Sequence, residues 1–445
     1  MRIQVVERLD AIDGAQWDAL DHRGYPFLRH AFLSALERTR CIGEGTGWSP
    51  RVLTLQDDRG LAGALPAWLK THSYGEFVFD FAWAQAYTRH GLRYYPKLIA
   101  AAPFTPATGP RCLVRSDLDQ PLISRQLIQS LAEYADEQEL SSAHVLFPAE
   151  ADRSLLERDP EWLMRRDCQF HWRNRGYADF EDFLGSFTAD KRKKARRERR
   201  RVAEAGITFE SRRGSEASPE EILTAWQLHR VTFLRRGNEP YLAAETFLEI
   251  ARTMGESLLF KFAKHGDEIV AVAVFFVGRD TLYGRYWGCN ENFHSLHFET
   301  CYHQGIEFCI EQRLDRFEPG TQGEHKVSRG FEPTYTYSAH RIAEPRFRSA
   351  IADYLERESE AVERYAAGIA EHLGGEQQGA GNGKALNLHG SPPAAEEGRC
   401  HSHSSSGVRP AGSAGCRRSS PSARPPPRGT PPSAPGDAQG CGCNW

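Results

Sequence analysis

Two stretches of the chain, residues 51–83 and 258–287, repeat one order of apolar runs and short turns, and this repeat constrains the fold most. Each contains three runs suited to β-strands, separated by turns of the type Asp-Asp-Arg-Gly or His-Gly-Asp. Because such turns connect antiparallel neighbours, each stretch predicts a three-stranded meander. The predicted strands are residues 51–55, 61–69, 77–83, 258–263, 269–277 and 281–287.

Helical spacing of apolar residues surrounds both meanders and predicts helices over residues 27–36, 124–138, 219–234, 241–254 and 298–313. A meander accompanied by helices and a further strand, occurring twice, predicts an α+β fold with two units of the same kind. We expect these domains at residues 1–165 and 166–345 and a terminal helix at 346–373. Further strands are predicted at residues 162–172, 316–318 and 335–342.

Residues 374–445 differ from the rest, since Gly, Pro and Ser dominate and the only branched aliphatic residues are Leu386, Leu388 and Val408. Such a segment buries too little apolar surface to offset the entropy of ordering, so we predict a disordered tail. The Cys and His residues of the tail are irregularly spaced, and the body lacks the paired cysteines of a zinc site. We therefore predict no metal.

At 445 residues, with 40% hydrophobic and 26% charged residues, the chain has the composition of a globular protein and exceeds one ordinary core. It has no apolar run of the ~18 residues that a membrane helix needs, and its start lacks the apolar core of a signal peptide. These features predict a cytoplasmic protein without a transmembrane segment. The absence of P-loop, Rossmann, G-x-S-x-G and H-E-x-x-H motifs argues against several enzyme classes.

Four segments resemble the signatures of one known family. They are 94–98 (Tyr-Tyr-Pro-Lys-Leu), 103–106 (Pro-Phe-Thr-Pro) with Gly109 and Arg111, 296–300 (Leu-His-Phe-Glu-Thr), and 320–326 (Gly-Thr-Gln-Gly-Glu-His-Lys) with 329–331 (Arg-Gly-Phe). Together they resemble the predicted N-acyltransferases of peptidoglycan biosynthesis or recognition, which are close to the Fem-type transferases. Over about residues 1–345, the resemblance implies tandem GNAT-like domains and direct attack of an amine on an acyl or aminoacyl donor.

The donor remains open. Acetyl-CoA-dependent GNAT domains hold a pyrophosphate with a glycine-rich turn and a helix N-terminus, whereas residues 290–297 contain no glycine. Acyl-CoA (acetyl-CoA) and aminoacyl-tRNA are both retained as donors, and the acceptor is a small-molecule or peptide amine. One alternative is a tRNA-dependent aminoacyl transferase that acts on a cell-wall precursor. Another is a non-catalytic module that recognises such a precursor.

Nine basic residues and one acidic residue lie between Lys191 and Arg201, in a chain whose net charge is −3. Thr188 before this run is a suitable N-cap residue, so the run predicts a helix. We expect Arg192, Arg196 and Arg200 to bind a pyrophosphate, a lipid-linked phosphate or a tRNA backbone. A merely solvated face is the alternative.

Transfer to an amine requires a group that accepts its proton, and Glu324 and His325 in the glycine-rich loop are candidates. Lys326 and Arg329 in the same segment are expected to bind donor or substrate. The alternative is a surface turn in which Glu324 pairs with Lys326.

The remaining candidates for substrate or donor binding lie in two regions. His297, Glu299 and Thr300 are at the N-terminus of a predicted helix, where the backbone dipole favours an anion or a developing oxyanion; ordinary capping is the alternative. Trp287 and Asn290 precede that helix. In the first half, Lys97 and Arg111 lie among aromatic residues that line a cleft or pack in the core.

Overall fold

The computed structural model describes residues 1–235, 237–290, 293–321 and 323–378, with side chains as far as residue 371. Residues 379–445, which include most of the predicted disordered tail, lie outside the described residues. Residues 374–378, also assigned to the tail, instead continue the last helix. 

The strands are β1 (Arg2–Val6), β2 (Trp48–Pro50), β3 (Val52–Asp57), β4 (Gly60–Leu65), β5 (Ala67–Lys70), β6 (Lys97–Ala100), β7 (Leu113–Val114), β8 (Ser142–Leu146), β9 (Leu163–Arg173), β10 (Ile207–Arg213), β11 (Leu258–His265), β12 (Glu268–Val277), β13 (Thr281–Cys289), β14 (Arg316–Glu318) and β15 (Glu332–Ile342). The α-helices are α1 (Gly14–Asp18), α2 (His30–Arg38), α3 (Phe81–Arg89), α4 (Gln120–Glu137), α5 (Glu150–Glu157), α6 (Phe180–Gly185), α7 (Ala189–Glu204), α8 (Pro219–Leu234), α9 (Ala244–Met254), α10 (Leu296–Phe298), α11 (Gln304–Glu311) and α12 (Pro345–Gln378). A π-helical turn at Glu299–His303 joins α10 to α11, and a 3₁₀ helix spans Glu324–Arg329.

The strands of the described residues form two sheets. A four-stranded sheet has the order β1-β3-β4-β7, and an eleven-stranded sheet has the order β10-β11-β12-β13-β14-β9-β15-β8-β6-β5-β2. The larger sheet contains both antiparallel and parallel pairs, including β13 with β14 and β6 with β8. Helices cover the sheets, so the α+β class with mixed sheets is confirmed.

Buried apolar residues of both halves pack on the sheets. In the second half, α8 and α9 share one apolar cluster with strands β11, β12 and β13 and with helix α2 of the first half. A second cluster joins α6, the π-helical turn and α11 to Phe275 and Phe317. These two layers enclose the strands that carry the candidate site.

The second meander is confirmed as β11, β12 and β13, which pair antiparallel in that order. The first meander differs from its prediction. The run 61–69 divides at Pro66 into β4 and β5, which belong to different sheets. The predicted strand 77–83 was wrong, because α3 begins at Phe81 and the residues before it are held by the buried ammonium of Lys97, which bonds Glu76 and Asp80.

The predicted boundary between residues 165 and 166 falls within β9, which pairs with both β14 and β15. The division into two domains stays a prediction. In the described part of the chain, no helix combines the length and apolar composition needed to cross a bilayer.

Candidate functional site

β13 and β14 are parallel neighbours that separate after three paired residues. The pairing runs from Thr281 opposite Arg316 to Tyr283 opposite Glu318. β13 then continues to Cys289, whereas β14 ends at Glu318. Because ligands of open sheets bind at the carboxyl ends of parallel strands, we take the region beyond the last β13–β14 pair as the candidate functional site and call it the crevice.

A β-bulge lies in β13 beside the crevice. Arg285 is the extra residue, because its neighbours Gly284 and Tyr286 pair with consecutive residues of β12. The buried guanidinium of Arg285 donates to the backbone carbonyl of Phe104. Phe104 belongs to the motif segment 103–111, so the bulge connects a motif of the first half to the crevice of the second.

Buried donors fix the backbone of segment 103–111. Gln169 donates to the carbonyl of Pro106 at 3.1 Å, and the Tyr25 hydroxyl donates to the carbonyl of Ala107 at 2.9 Å. Arg111 is buried and donates to the carbonyls of Leu146 at 2.6 Å and Ala107 at 2.9 Å. Arg111 thus has backbone partners, and its contact with a ligand stays a prediction.

Lys97 is also buried, inside a network of first-half residues. Its ammonium donates to Ser73 at 2.8 Å and to Glu76 at 2.7 Å, and it bonds Asp80. Burial raises the pKa of Glu76 to about 7. The described contacts of Lys97 are thus to residues of the first half, and its ligand role stays a prediction.

At the end of β14, a polar cluster was missed by the sequence analysis. Glu318 is 5% exposed, and burial raises the pKa of its carboxyl to about 7. The Nδ1 atom of His171 lies 4.0 Å from Oε1 of Glu318, and the other ring nitrogen is 3.1 Å from Oε1 of Gln169. Burial and then the nearby Lys326 lower the pKa of His171 to about 3, so this imidazole is neutral at pH 7. One sequence signal could have indicated Glu318: it is an acidic residue at the end of the predicted strand 316–318, directly before Pro-Gly.

The loop after β14 brings His325 against rings of the helical segment that precedes β14. The hydroxyl of Tyr302 lies 2.9 Å from Nε2 of His325. Ring centroids of Tyr302 and Phe298 are each 5.7 Å from that of His325, and the His297 ring is 6.3 Å away. Trp287 in turn lies 5.2 Å from His297. We call these five rings the ring cluster; it unites the predicted residues His297, Trp287 and His325.

Although His325 is exposed at the surface, partial desolvation of its imidazole and then the charges of Lys326 and Arg329 lower its pKa to about 4. Burial also raises the pKa of Tyr302 well above its usual value, so its phenol keeps its proton. We assign the shared hydrogen bond to the Tyr302 O–H, which places the His325 proton on Nδ1. Glu324, which is exposed like His325, accepts a bond of 2.8 Å from Tyr365 of α12.

Lys326, which follows His325 in the loop, is fully buried and donates to the carbonyl of Gly320 at 2.8 Å. Burial lowers the pKa of this ammonium to about 7. Its bond closes the loop between residues 320 and 326, in which Gly320 and Gly323 have φ angles of 101° and 112°. A side chain at Gly323 would collide with the His325 ring, since an added Cβ would lie 2.1 Å from it. This glycine therefore lets His325 fold over the loop.

Glu198 of α7 connects the basic helix to the loop. Its carboxylate accepts two bonds from Arg329, at 2.6 and 3.1 Å, and lies 3.2 Å from Nε2 of His303. The Arg329 guanidinium also stacks 3.4 Å from the Phe298 ring centroid. Arg329 is thus held in the interior, and Glu198 is a second residue that sequence reasoning missed.

The N-terminal turns of the helix after β13 contain two other predicted residues. Glu299 is buried, accepts from Gln304 at 2.8 Å and lies 3.2 Å from the guanidinium of Arg199. Thr300 is buried and donates to the carbonyl of Leu296. Both lie in the π-helical turn, and such turns are frequent at functional sites. Asn290 is exposed and bonds Glu268 at 3.2 Å; the turn after it includes residues outside those described.

The predicted basic residues of α7 face away from Glu198. Arg196 pairs with Glu181 and Arg200 with Glu204, and all four side chains are largely exposed. Arg192 is half-buried. For Arg192, Lys193 and Arg197, the described residues offer no ion-pair partner, so these cations remain available to an external anion. No group of three metal-binding side chains occurs among the described residues.

Comparison with known proteins gives one family match. A family model described as FemAB-like, peptidoglycan biosynthesis/recognition, matches residues 8–374. A search of curated proteins finds no match.

Solved structures resemble the chain at low identity. L-PGS from Bacillus licheniformis has a TM-score of 0.44 and 14% identity, covering 74% of this chain and 96% of that one. FemX has a TM-score of 0.45 and 11% identity, covering 79% and 100%. A tandem GNAT protein from the clavulanic acid biosynthesis pathway has a TM-score of 0.41 and 10% identity, covering 77% and 99%. Because these identities and TM-scores are low, the assignment of the chain to a family depends on the family model alone.

Proposed function

Because the chain belongs to the FemAB-like family of peptidoglycan biosynthesis or recognition, we propose that it transfers an acyl or aminoacyl group to an amine. Transfer takes place in the crevice where β13 and β14 separate. The observation that supports this most is the early separation of these parallel strands beside the bulge at Arg285. It opens a sheet edge at which the backbone of β13 is available to a bound donor.

The amine attacks the donor carbonyl directly. A C–N bond forms, the bond from the carbonyl to the sulfur or oxygen of the donor breaks, and the amine loses a proton. Glu318 accepts that proton, since a carboxyl with a pKa of about 7 is an effective base at neutral pH. The negative charge that develops on the carbonyl oxygen requires a hydrogen-bond donor.

His325 supplies that donor through Nδ1–H. Its pKa of about 4 keeps the imidazole neutral, and the Tyr302 hydroxyl at 2.9 Å fixes the tautomer. This role differs from the proton transfer first expected of His325. An imidazole with a pKa of about 4 is too weak a base to take a proton from an amine at neutral pH. The catalytic role of Glu324 stays a prediction.

The outer face of α7 binds the anionic part of the donor or acceptor. Arg192, Arg196 and Arg200 lie on this helix with Lys193 and Arg197. Cations on one helix suit the phosphates of coenzyme A, a lipid-linked precursor or a tRNA backbone. The cations without protein partners favour a tRNA-borne donor as the second candidate, since an extended polyanion can meet several of them at once.

The first experiment measures thermal unfolding of the full chain with and without millimolar acetyl-CoA. A ligand at ~100 times its dissociation constant stabilises the folded state by about 2.7 kcal/mol, which gives a clear upward shift. In a parallel arm, transfer from aminoacyl-tRNA to a lysine-containing peptide is assayed with and without RNase. If neither donor binds and no amine is acylated, the proposed activity is rejected in favour of a recognition module.

A further inference from the structure

The surface around α3 exposes a concentration of large apolar side chains. Of the ten that are exposed in the described part of the chain, four lie within residues 74–92, namely Tyr74, Phe79, Phe81 and Leu92. The ring centroids of Tyr74 and Phe79 lie 5.7 and 6.2 Å from that of Phe81. We call these three rings the aromatic patch. Contiguous apolar surface that stays exposed marks a place where a protein meets a partner or a membrane.

Buried charges hold the backbone beneath the aromatic patch. The ammonium of Lys97 donates to Glu76 at 2.7 Å and bonds Asp80, so it fixes the chain on both sides of Phe79. The guanidinium of Arg165 donates to the backbone carbonyl of Phe79 at 2.7 Å. Because this loop is already ordered, little conformational entropy is lost when the aromatic patch binds.

The charge that the same segment exposes is positive. Residues 71–93 contain two acids, Glu76 and Asp80, and both are buried. The two arginines of the segment, Arg89 and Arg93, are exposed. A surface that presents cations without carboxylates of its own attracts a negatively charged partner.

Helix α3 brings a ring and a cation to one side. Phe81, Gln85 and Arg89 follow one another at intervals of four residues, which places them on the same side of a helix, and all three are exposed. Trp83 and Tyr87 are the buried residues of this helix. The exposed side of α3 therefore carries an aromatic ring at its start and a guanidinium at its end.

We propose that the aromatic patch and the exposed side of α3 bind the surface of an anionic lipid bilayer. Aromatic rings are favoured at the boundary between headgroups and acyl chains, and arginines bind the phosphates above it. A fluid lipid surface can meet all of these groups at once without a complementary shape. Glu358 of α12 also reaches Arg165, which binds it through two bonds of 2.7 Å, so the charge of this acid is compensated.

The test measures co-sedimentation of the full chain with vesicles of phosphatidylcholine alone and of phosphatidylcholine mixed equally with phosphatidylglycerol. The mixed vesicles should bind more tightly, and added salt should reduce the difference by screening the charges. Phe81→Ser removes an exposed ring and should weaken binding to the mixed vesicles by about tenfold. Arg89→Gln should weaken it by about fivefold and leave binding to the neutral vesicles unchanged.

Leu122→Ser and Arg125→Gln are the matched controls, because they remove an exposed apolar side chain and an exposed cation of α4. Both should leave binding unchanged. Absence of binding, or equal binding by Phe81→Ser, would overturn the proposal, since other cations of the chain would then attract the vesicles.

Analytical ultracentrifugation without lipid tests the competing occupant, a second copy of the chain. A mass of two chains that returns to one in Phe81→Ser would assign the surface to self-association and overturn the proposal. A mass of one chain in both is the expected result. These readouts do not involve acyl transfer, so they are independent of the proposed activity.

Discussion

At the scale of single residues, Glu318 is proposed to accept the amine proton and His325 to donate a hydrogen bond to the carbonyl oxygen. Their pKa values of about 7 and about 4 place their protonation at different pH. If Glu318 accepts the amine proton, the transfer rate should fall as the pH drops through about 7. Glu318→Gln should lower the rate by roughly 10²–10⁴-fold and remove this pH dependence. A rate that falls only near pH 4, and no longer does so in His325→Gln, would assign the proton to His325 instead.

Glu318 should also make stability depend on pH. Its folded-state pKa of about 7 lies above the ordinary 4.5, so between these values the folded protein binds more protons than the unfolded chain. Stability from this group is therefore full below pH 4.5 and is lost as the pH rises through 7. The free energy of unfolding of Glu318→Gln, relative to that of the unaltered protein, should therefore rise by about 3 kcal/mol between pH 4.5 and pH 8. Urea unfolding at both pH values measures this; an equal difference at both would contradict it.

At the scale of elements, α7 carries two kinds of ion pair. Glu198 faces inward, where Arg329 and His303 bind it, whereas Arg196 pairs with Glu181 at the surface. Glu198→Ala leaves the buried Arg329 without its partner and should cost about 3 kcal/mol of unfolding free energy. Arg196→Ala, the control on the same helix, should cost at most ~1 kcal/mol. Similar losses from both in denaturant titrations would mean that Glu198 is not the anchor of this helix.

Elements whose signals are local were predictable. α8 was predicted at its observed bounds from its apolar spacing; at its start, Ser218 and Glu221 form a capping box and Pro219 lies in the first turn. The strand predicted over 77–83 failed, since contacts with Lys97 from a distant strand decide the conformation there. The same holds for the site. The role of the motif residues around His325 stays a prediction, whereas Glu198 gains its contacts from Arg329, 131 residues away, which no local pattern reveals.

In the whole molecule, β9 and β15 connect the two halves of the larger sheet. β15 pairs with β9 along one edge and with β8 along the other. Strands of both halves form backbone hydrogen bonds with β9 or β15. We therefore expect residues 1–378 to unfold in one cooperative transition. Differential scanning calorimetry should give equal calorimetric and van't Hoff enthalpies. Two resolved transitions would instead support separate domains divided near residue 165.

The position of β15 late in the chain has a consequence for synthesis on the ribosome. β8 needs β15 to cover its edge, and the paired residues His144 and His340 are 196 positions apart. At ~5–20 residues per second, the edge of β8 stays bare for roughly 10–40 s while translation continues. An uncovered strand edge is a template for aggregation, so the nascent first half must be shielded until the second half emerges. Slowed translation between these strands should therefore lower the soluble yield without any change in the finished protein.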